Sequence, residues 1–494
     1  MPAGLANRGV VFHVVESTFV ERSNVGFDSL VAFRNSQDAE VCGTLIHVTR
    51  NLVVFEVYNP YSIVQLSEVL RDVRIIRGER TIYSGRAVVS SIVATGVMLI
   101  VSATLVDPWS DLAGAVPGRA LTDEVRGFVR DWEASYRIRP TYQLAVGGIA
   151  GFFAELNRWL NHMETTGGPG DSPPLQQEFA LSVEAGLTEK LATLFGTFEA
   201  EASQVGPDEV VNHKAFARRQ MHPLMLVAPF IYRTFAKPLG YAGDYEMVNM
   251  IVREPLAGPN TYARILNAAI LRSKGAQAHR NRIDRLVQYL KGEAQRMSGS
   301  RRRMCVLNVG CGPAVEVQRF LRTEPLSDSC EIHLMDFNSE TLDYTRGRLA
   351  EAAREGGRNA AILYHHKSVN ELLKEASREA LGRESEPFVS ADLVYCAGLF
   401  DYLSDRICRR LLQLFSSWTR PGGLVVATNV HPNNDVRFFM EHVLEWNLIY
   451  RDEKQMLELG PEGGLKSVTV DATGANVLLE IRKPAAAEEL AMGR

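Results

Sequence analysis

The spacing of apolar residues along the chain changes twice. From about residue 8 to residue 113, short β-branched runs separated by turn residues predict strands at 41–48, 52–57 and 73–77. Residues 87–106 are uncharged for long enough to span a bilayer, but their serines, threonines and β-branched residues favour a hairpin turning at Thr95-Gly96. The pattern predicts a small β-barrel over residues 1–115.

Over residues 116–300 the apolar period becomes that of a helix. Apolar side chains recur every three or four positions and predict a helical cap with helices at 121–136, 143–163, 175–204, 213–219, 260–272 and 276–291. Residues 165–174, TTGGPGDSPP, are a flexible break between two of these helices. Most of the amphipathic pattern is explained by ordinary packing.

Residues 222–252 differ in composition from the rest of the cap. Prolines at 223, 229 and 238 are expected to break regular structure, and glycines at 240 and 243 permit a turn. A loop that combines glycines, aromatic residues and acids is typical of a binding loop, although an irregular structural corner is the alternative. Its candidate binding residues are Tyr241, Asp244 and Tyr245.

Strands and helices alternate from residue 301 to residue 484. This alternation predicts an α/β doubly wound, Rossmann-like domain, with a mainly parallel sheet and helices on both faces. Two extended runs, 466–473 and 476–481, predict an antiparallel pair at the end of the sheet. Residues 485–494 are predicted to form a disordered tail.

Composition adds limits to this picture. With 494 residues, 46% hydrophobic and 23% charged, the chain is a soluble globular protein of more than one domain. A net charge of −4 argues against a nucleic-acid polymer as partner. The six cysteines show no C-x-x-C pair and no metal-ligand spacing, and no signal peptide opens the chain. We therefore expect a cytoplasmic protein with reduced thiols, no membrane span and no metal.

Candidate chemistry is concentrated where the first strand of the α/β domain ends. The turn Gly310-Cys311-Gly312-Pro313 lets the backbone approach a ligand closely, and the following helix start offers free N–H groups. A dinucleotide-binding turn would have another glycine at Ala314 or Val315. Asp336 ends the next strand about twenty residues further on, the spacing at which a carboxylate meets a ribose diol.

These segments resemble the motifs of class I S-adenosylmethionine-dependent methyltransferases, as do residues 392–402 and the turn Arg420-Pro421-Gly422-Gly423. The resemblance implies S-adenosylmethionine as cofactor, with the glycine turn at its methionine end and Asp336 at its ribose. By the same resemblance, Phe337 and Asn338 would lie against the adenosine, Ser368 or the backbone near Val369 would meet the adenine, and the residues bordering the transferred methyl would be Cys396, Ala397, Gly398 and Asp401.

A narrower resemblance covers three further segments: KPLGYAGDYE (237–246), NVHPNND (429–435) and MEHVLEWNLIYR (440–451). They look like segments of extracellular-factor 3-hydroxypalmitic acid methyl ester biosynthesis proteins. That likeness implies methylation of the carboxylate of a small molecule, a hydroxy fatty acid.

The predicted barrel resembles a PilZ-type domain, the bacterial module that binds cyclic di-GMP. That family uses an R-x-x-x-R arm and a D/N-x-S-x-x-G turn, and here the nearest counterparts are Arg22, Arg34 and the segment Thr49-Arg50-Asn51-Leu52. Neither motif is intact, which argues against cyclic di-GMP as a ligand, since two well-placed arginines are needed to grip its phosphates. The alternative is a degenerate barrel used for docking or for a homodimer.

Methyl transfer from a sulfonium is a direct displacement, so the protein mainly aligns the reactants and excludes water. A carboxylate acceptor needs no base, whereas an alcohol or amine would need one, for which the candidates are His431, Asp401 and Tyr402. Trp446, Tyr450 and Arg451, predicted to lie on a helix, would suit an amphipathic acid as substrate. The rival hypothesis is a signalling protein whose barrel senses a nucleotide or a partner, with cofactor bound but little turnover.

Overall fold

The computed structural model describes most of the chain, in segments separated by short gaps. The described residues are 29–49, 51–58, 64–77, 80–95, 98–107, 122, 125–126, 129–130, 132–133, 137–166, 172–253, 255–380 and 388–485. The predicted disordered tail therefore lies almost wholly outside them. No helix among the described residues is both long enough and apolar enough to cross a bilayer.

The predicted barrel is confirmed. Its six strands close in the order β1-β2-β3-β6-β5-β4, with every neighbouring pair antiparallel. They are β1 Ser29–Arg34, β2 Glu40–Val48, β3 Leu52–Tyr58, β4 Val69–Arg77, β5 Arg80–Thr95 and β6 Met98–Leu105. Alternate side chains fill the interior, where the Phe33 and Phe55 rings lie 5.3 Å apart. The β5–β6 pairing confirms the predicted hairpin, since Thr95 lies opposite Met98.

Seven helices of the cap lie within the described residues. They are α1 Pro140–Thr166, α2 Pro173–Ala202, α3 Val210–Met225, α4 Pro229–Ala236, α5 Tyr245–Val252, α6 Thr261–Leu271 and α7 Lys274–Arg296. The prediction that all three prolines break regular structure is wrong for two of them. Pro229 is the first residue of α4, where its missing N–H costs nothing, and Pro223 lies in the last turn of α3.

The predicted doubly wound domain is also confirmed. A seven-stranded sheet has the order β12-β13-β11-β10-β7-β8-β9, parallel except for β13. In chain order its elements are β7 Met304–Val309, α8 Val315–Thr323, β8 Cys330–Asp336, α9 Ser339–Gly356, β9 Ala361–His366, α10 Val369–Ala380, β10 Ala391–Cys396, α11 Asp405–Trp418, β11 Thr419–Val430, α12 Arg437–His442, α13 Glu453–Leu459, β12 Leu465–Val470 and β13 Asn476–Arg482.

The order of these strands fixes where a ligand can bind. The chain passes from β7 outward to β8 and β9, then returns to place β10 on the other side of β7. The connections therefore diverge between β7 and β10, and they leave a crevice at the carboxyl ends of these strands. Every residue of β7 and of β10 is buried between helices on the two faces, so this crevice stands on a rigid base.

Candidate active site

A cavity of about 240 Å³ opens at this crevice. Its lining comes from the turn after β7, the ends of β8 and β10, helix α7 and the loop before α5. Of the predicted site residues, the cavity lining contains Gly310, Cys311, Gly312, Asp336, Phe337, Ala397, Gly398, Asp401, Tyr402, Tyr241, Tyr245 and Trp446. Residues distant in sequence are thus brought to one place.

The glycine turn is held open by its backbone conformation. Gly310 and Gly312 have φ angles of 71° and 50°, and Ala314 adopts the same left-handed region at 47°. Ala314 thus occupies the conformation that a further glycine would favour. The N–H groups of Gly310 and Cys311 donate to the carbonyl of Met335 at 2.8 and 2.9 Å, which fastens the turn to β8.

Asp336 ends β8 with its carboxylate buried beside this turn. Its Oδ2 accepts a hydrogen bond from the N–H of Gly312 at 3.1 Å, and its Oδ1 accepts one from the N–H of Asn338 at 3.0 Å. Burial raises the pKa of Asp336, and the two N–H donors oppose that rise. Since an ionised carboxylate has about four acceptor positions, these bonds leave room for a further bond from a ligand in the cavity.

Four of the predicted cofactor residues lie outside the cavity lining, as does Asp244 of the loop. Asn338 caps α9 by accepting from the N–H of Thr341 at 2.9 Å, and Ser368 bonds to Glu371 at the start of α10. The other two are Val369 and Cys396. Asp244 caps α5 and pairs with Arg233 at 2.9 Å. Asn338, Ser368 and Asp244 therefore lie at the starts of helices, where they position the residues next to them.

The sequence pattern does not single out one charged group that lines the cavity, Arg282. Arg282 of α7 is 7% exposed and lies against Gly398 and the ring of His279, 2.9 Å from its Nε2. Burial lowers the pKa of Arg282 and of His279, while Asp401 nearby favours the charged guanidinium. Among the described residues that line the cavity, Arg282 is the only lysine or arginine. Several of its N–H donors are left for a ligand.

A second missed group is the carboxylate of Glu316, on the first turn of α8. It is buried at the cavity wall and accepts from Asn308 at 3.0 Å and from the Tyr395 hydroxyl at 2.8 Å. Burial raises its pKa, as it does that of Asp401. Asp401 accepts from the N–H of Val430 at 2.7 Å. The cavity lining therefore carries more carboxyl groups than cations.

The loop before α5 covers the cavity, and we call residues 240–244 the lid. The Tyr241 ring lies 5.0 Å from that of Phe337, over the end of β8. At the other side, Tyr245 donates to Glu340 at 2.9 Å and stacks on Tyr344 at 4.5 Å, which fastens the lid to α9.

Gly243 is where the lid meets the other half of the site, and its replacement provides a test. Gly243 has φ +79°, and a Cβ there would stand 2.8 Å from the Tyr402 hydroxyl. Gly474 has φ +77° with open space around it. We expect Gly474→Ala to cost about 1–2 kcal/mol of stability from conformation alone, and Gly243→Ala about 1–3 kcal/mol more from crowding. Equal losses in urea unfolding would contradict this contact.

The predicted helix through residues 446–451 is wrong. Helix α12 ends at His442, because Glu445 adopts φ 51° and the N–H of Trp446 turns back to the carbonyl of Met440 at 2.8 Å. The turn brings Trp446 to the cavity, where its Nε1 donates to the Tyr402 hydroxyl at 2.9 Å. Burial raises the pKa of Tyr402, so it remains a neutral phenol.

Three other predicted residues do not line the cavity. Arg451 is 2% exposed and bonds to Asp405, to Asn429 and to the carbonyls of Phe400 and Leu403. Tyr450 lies under the Arg437 guanidinium, 4.5 Å away. His431 faces Glu453 at 3.2 Å. His431 therefore does not line the cavity with the other two catalytic candidates, Asp401 and Tyr402.

Three side chains of the cavity lining, Gln65, Leu66 and Glu68, come from the barrel. Nothing in the sequence predicts that these barrel residues line the cavity, because it depends on how two distant parts of the chain pack together.

Away from the cavity, the possible metal-ligand atoms of Cys305, Glu331 and His333 lie within 4.8 Å of one another, a grouping that sequence spacing does not reveal. His333 already bonds to Glu331 at 2.8 Å and to His365 at 3.0 Å.

No protein-family model and no curated protein matches the chain. Solved structures that resemble it include methyltransferases. An O-methyltransferase family protein from Burkholderia thailandensis is 14% identical, over 75% of this chain and 100% of that one, with a TM-score of 0.33. The N-methyltransferase NodS from Bradyrhizobium japonicum WM9, in complex with S-adenosyl-L-homocysteine, is 15% identical over 42% of this chain and 88% of that one, with a TM-score of 0.28. A possible exported protein from Bordetella parapertussis is 18% identical over 64% of this chain and 100% of that one, with a TM-score of 0.39. Such low TM-scores do not bear on activity.

Proposed function

We propose that the chain is an S-adenosylmethionine-dependent methyltransferase that methylates the carboxylate of an amphipathic small molecule, such as a hydroxy fatty acid. The observation that carries the proposal is the placement of Asp336. Its carboxylate keeps acceptor positions free in the cavity, next to an open glycine turn at the divergence of β7 and β10.

The residues present fit the cofactor. Asp336 would accept from the two ribose hydroxyls, the backbone at Gly310 and Gly312 would leave room for the amino-acid tail, and Glu316 would accept from its ammonium group. Tyr241 and Phe337 would flank the base. The cavity lining contains four carboxyl groups, those of Glu68, Glu316, Asp336 and Asp401, and one guanidinium, that of Arg282. When bound, the cofactor supplies an activated methyl group.

The rest of the cavity suits an apolar acceptor with one charged end. Its wall on the cap side is made of apolar side chains from α4, α5, α6 and α12 and the segment after α12, namely Phe230, Val248, Ile251, Ile270, Phe439, Met440, Leu444, Trp446 and Leu448. Arg282 lies against Gly398, two residues after the end of β10, and lines the same cavity. A carboxylate bound there would be held at the reacting end, with its hydrocarbon against the apolar wall.

The chain's own residues then have limited tasks. Arg282 would orient the acceptor carboxylate through one oxygen and leave the other free to attack, since a carboxylate is ionised at neutral pH and needs no base. The lid, Tyr402 and Trp446 would exclude water and hold the reactants in line. Neither Asp401 nor Tyr402 has to move a proton in this scheme, and both would shape the pocket.

Calorimetry with S-adenosylhomocysteine and with cyclic di-GMP tests the class of protein. We expect the first to bind and the second not to, because the exposed Arg34 pairs with Asp38 and Asp72. Transfer of a labelled methyl from S-adenosylmethionine to a series of 3-hydroxy fatty acids then tests the acceptor. Binding of cyclic di-GMP without S-adenosylhomocysteine would favour the signalling hypothesis instead.

A further inference from the structure

We infer that the N-terminal barrel forms one wall of the acceptor pocket, and that Leu66 limits the length of the acceptor's hydrocarbon. This inference rests on the proposed function, since it assigns the part of the chain that selects the acceptor. Leu66 and its neighbour Gln65 lie on the connection between β3 and β4, and both line the cavity together with the lid. The barrel would thus belong to the catalytic site itself.

A buried carboxylate holds this connection in shape. Oε1 of Glu68 accepts from the N–H and the hydroxyl of Ser36, at 2.7 and 2.6 Å, and its Oε2 accepts from the N–H of Gln65 at 2.7 Å. Glu68 is 2% exposed, and the adjacent Ser67 adopts φ 61°. A segment tied at both ends in this way presents Leu66 at a fixed position, which is what a selective wall requires.

The same segment is bonded to the far end of the chain. The Ser67 hydroxyl donates to the carbonyl of Asn447 at 2.8 Å and accepts from the N–H of Asn447 at 2.6 Å. Val69 donates its N–H to the carbonyl of Gly240 in the lid at 2.8 Å. Because these bonds join backbone to backbone or are buried, the barrel, the lid and residues 446–448 form one continuous rim.

The neighbours of Leu66 along this rim determine which part of a ligand it would contact. Asn447 lies between Trp446 and Leu448, and both of these side chains line the cavity. The bond from Ser67 to Asn447 therefore brings the segment that carries Leu66 next to the segment that carries Trp446 and Leu448. An aliphatic side chain there makes favourable contact with a hydrocarbon and bars a longer one by its volume.

The test compares Leu66→Ala and Leu66→Trp with two matched variants, Leu30→Ala and Leu30→Trp. Leu30 belongs to the same barrel but is 43% exposed and does not line the cavity. Affinity for the fluorescent fatty acid cis-parinaric acid and methyl transfer to 3-hydroxy fatty acids of increasing length are measured on the full chain. Calorimetry with S-adenosylhomocysteine establishes that each variant retains its cofactor site.

We expect Leu66→Ala to shift the preferred acceptor towards longer chains and Leu66→Trp towards shorter ones, about tenfold in kcat/KM between neighbours in the series. Leu66→Trp should also weaken cis-parinaric acid binding, while the Leu30 variants match the wild type. An unchanged length profile and unchanged probe binding in both Leu66 variants would overturn the inference.

A wrong proposed function would give results different from those of a wrong inference about Leu66. If wild-type protein binds the probe and Leu66→Trp does not, but no fatty acid is methylated, then Leu66 does line the acceptor pocket and the proposed reaction is wrong. If wild-type protein does not bind the probe at all, both the apolar acceptor pocket and the role of Leu66 in it are contradicted. Leu66→Ala, which only removes volume, keeps the inference testable if the tryptophan variant folds poorly.

Discussion

Asp336→Asn should bind S-adenosylhomocysteine at least about 100-fold more weakly than the wild-type chain. Two charge-assisted hydrogen bonds to the ribose are lost, each worth about 1.5–3 kcal/mol, and an asparagine offers only one acceptor oxygen in place of two. The amide group would also turn a donor towards either the N–H of Gly312 or that of Asn338, both of which now donate to Asp336. Calorimetry measures the change directly.

The control for this variant is Asp343→Asn, on helix α9. Asp343 is exposed and pairs with Arg346 at 2.8 Å along the same helix, so its loss should leave the affinity for S-adenosylhomocysteine unchanged. Far-ultraviolet circular dichroism and thermal melting establish that Asp336→Asn is folded. A folded Asp336→Asn protein that binds the nucleoside undiminished would remove the main support for the proposed function.

Arg282→Gln should lower kcat/KM for a carboxylate acceptor by about 30-fold or more, with little change in the affinity for S-adenosylhomocysteine. Removing one member of a buried, hydrogen-bonded charge pair costs about 2–5 kcal/mol. The guanidinium is the only lysine or arginine group among the described residues lining the cavity, so nothing there replaces it. Arg282→Lys should recover part of the loss, because it restores the charge without the planar fork.

A second ligand separates this role from a contact with the cofactor. If Arg282 instead held the carboxylate of the cofactor's amino-acid tail, Arg282→Gln would weaken S-adenosylhomocysteine but leave 5′-methylthioadenosine, which lacks that tail, unaffected. The matched variant is Arg285→Gln on the same helix, where the arginine lies at the surface near Glu480. It should behave as the wild type in both assays.

Local patterns were sufficient to predict the turn after β7 and the carboxylate at the end of β8. The all-buried strand β7, the glycine turn and Asp336 lie close together in sequence, and alternation of strands and helices already implies that their carboxyl ends meet. The barrel was also predictable, because short strands with turns between them leave few other ways to bury their apolar faces.

Side-chain direction was not predictable in the same way. His431 follows Val430 and Arg451 lies three residues after Leu448, and both Val430 and Leu448 line the cavity, yet His431 bonds to Glu453 and Arg451 to Asp405 instead. Whether a polar residue faces a ligand or a partner depends on which acceptors the folded chain places near it, and periodicity carries no information about those. The same holds for the helix predicted through Trp446, which a left-handed residue at Glu445 ends early.

The sequence by itself determined the three structural regions, the turn after β7 and the carboxylate at the end of β8. These depend on apolar period, glycine conformation and short spacings, all of which act over a few tens of residues. The tertiary structure alone decided that Arg282 of α7 and Leu66 of the barrel both line this cavity. Those contacts join residues more than a hundred positions apart, and only the packing of one folded region against another creates them.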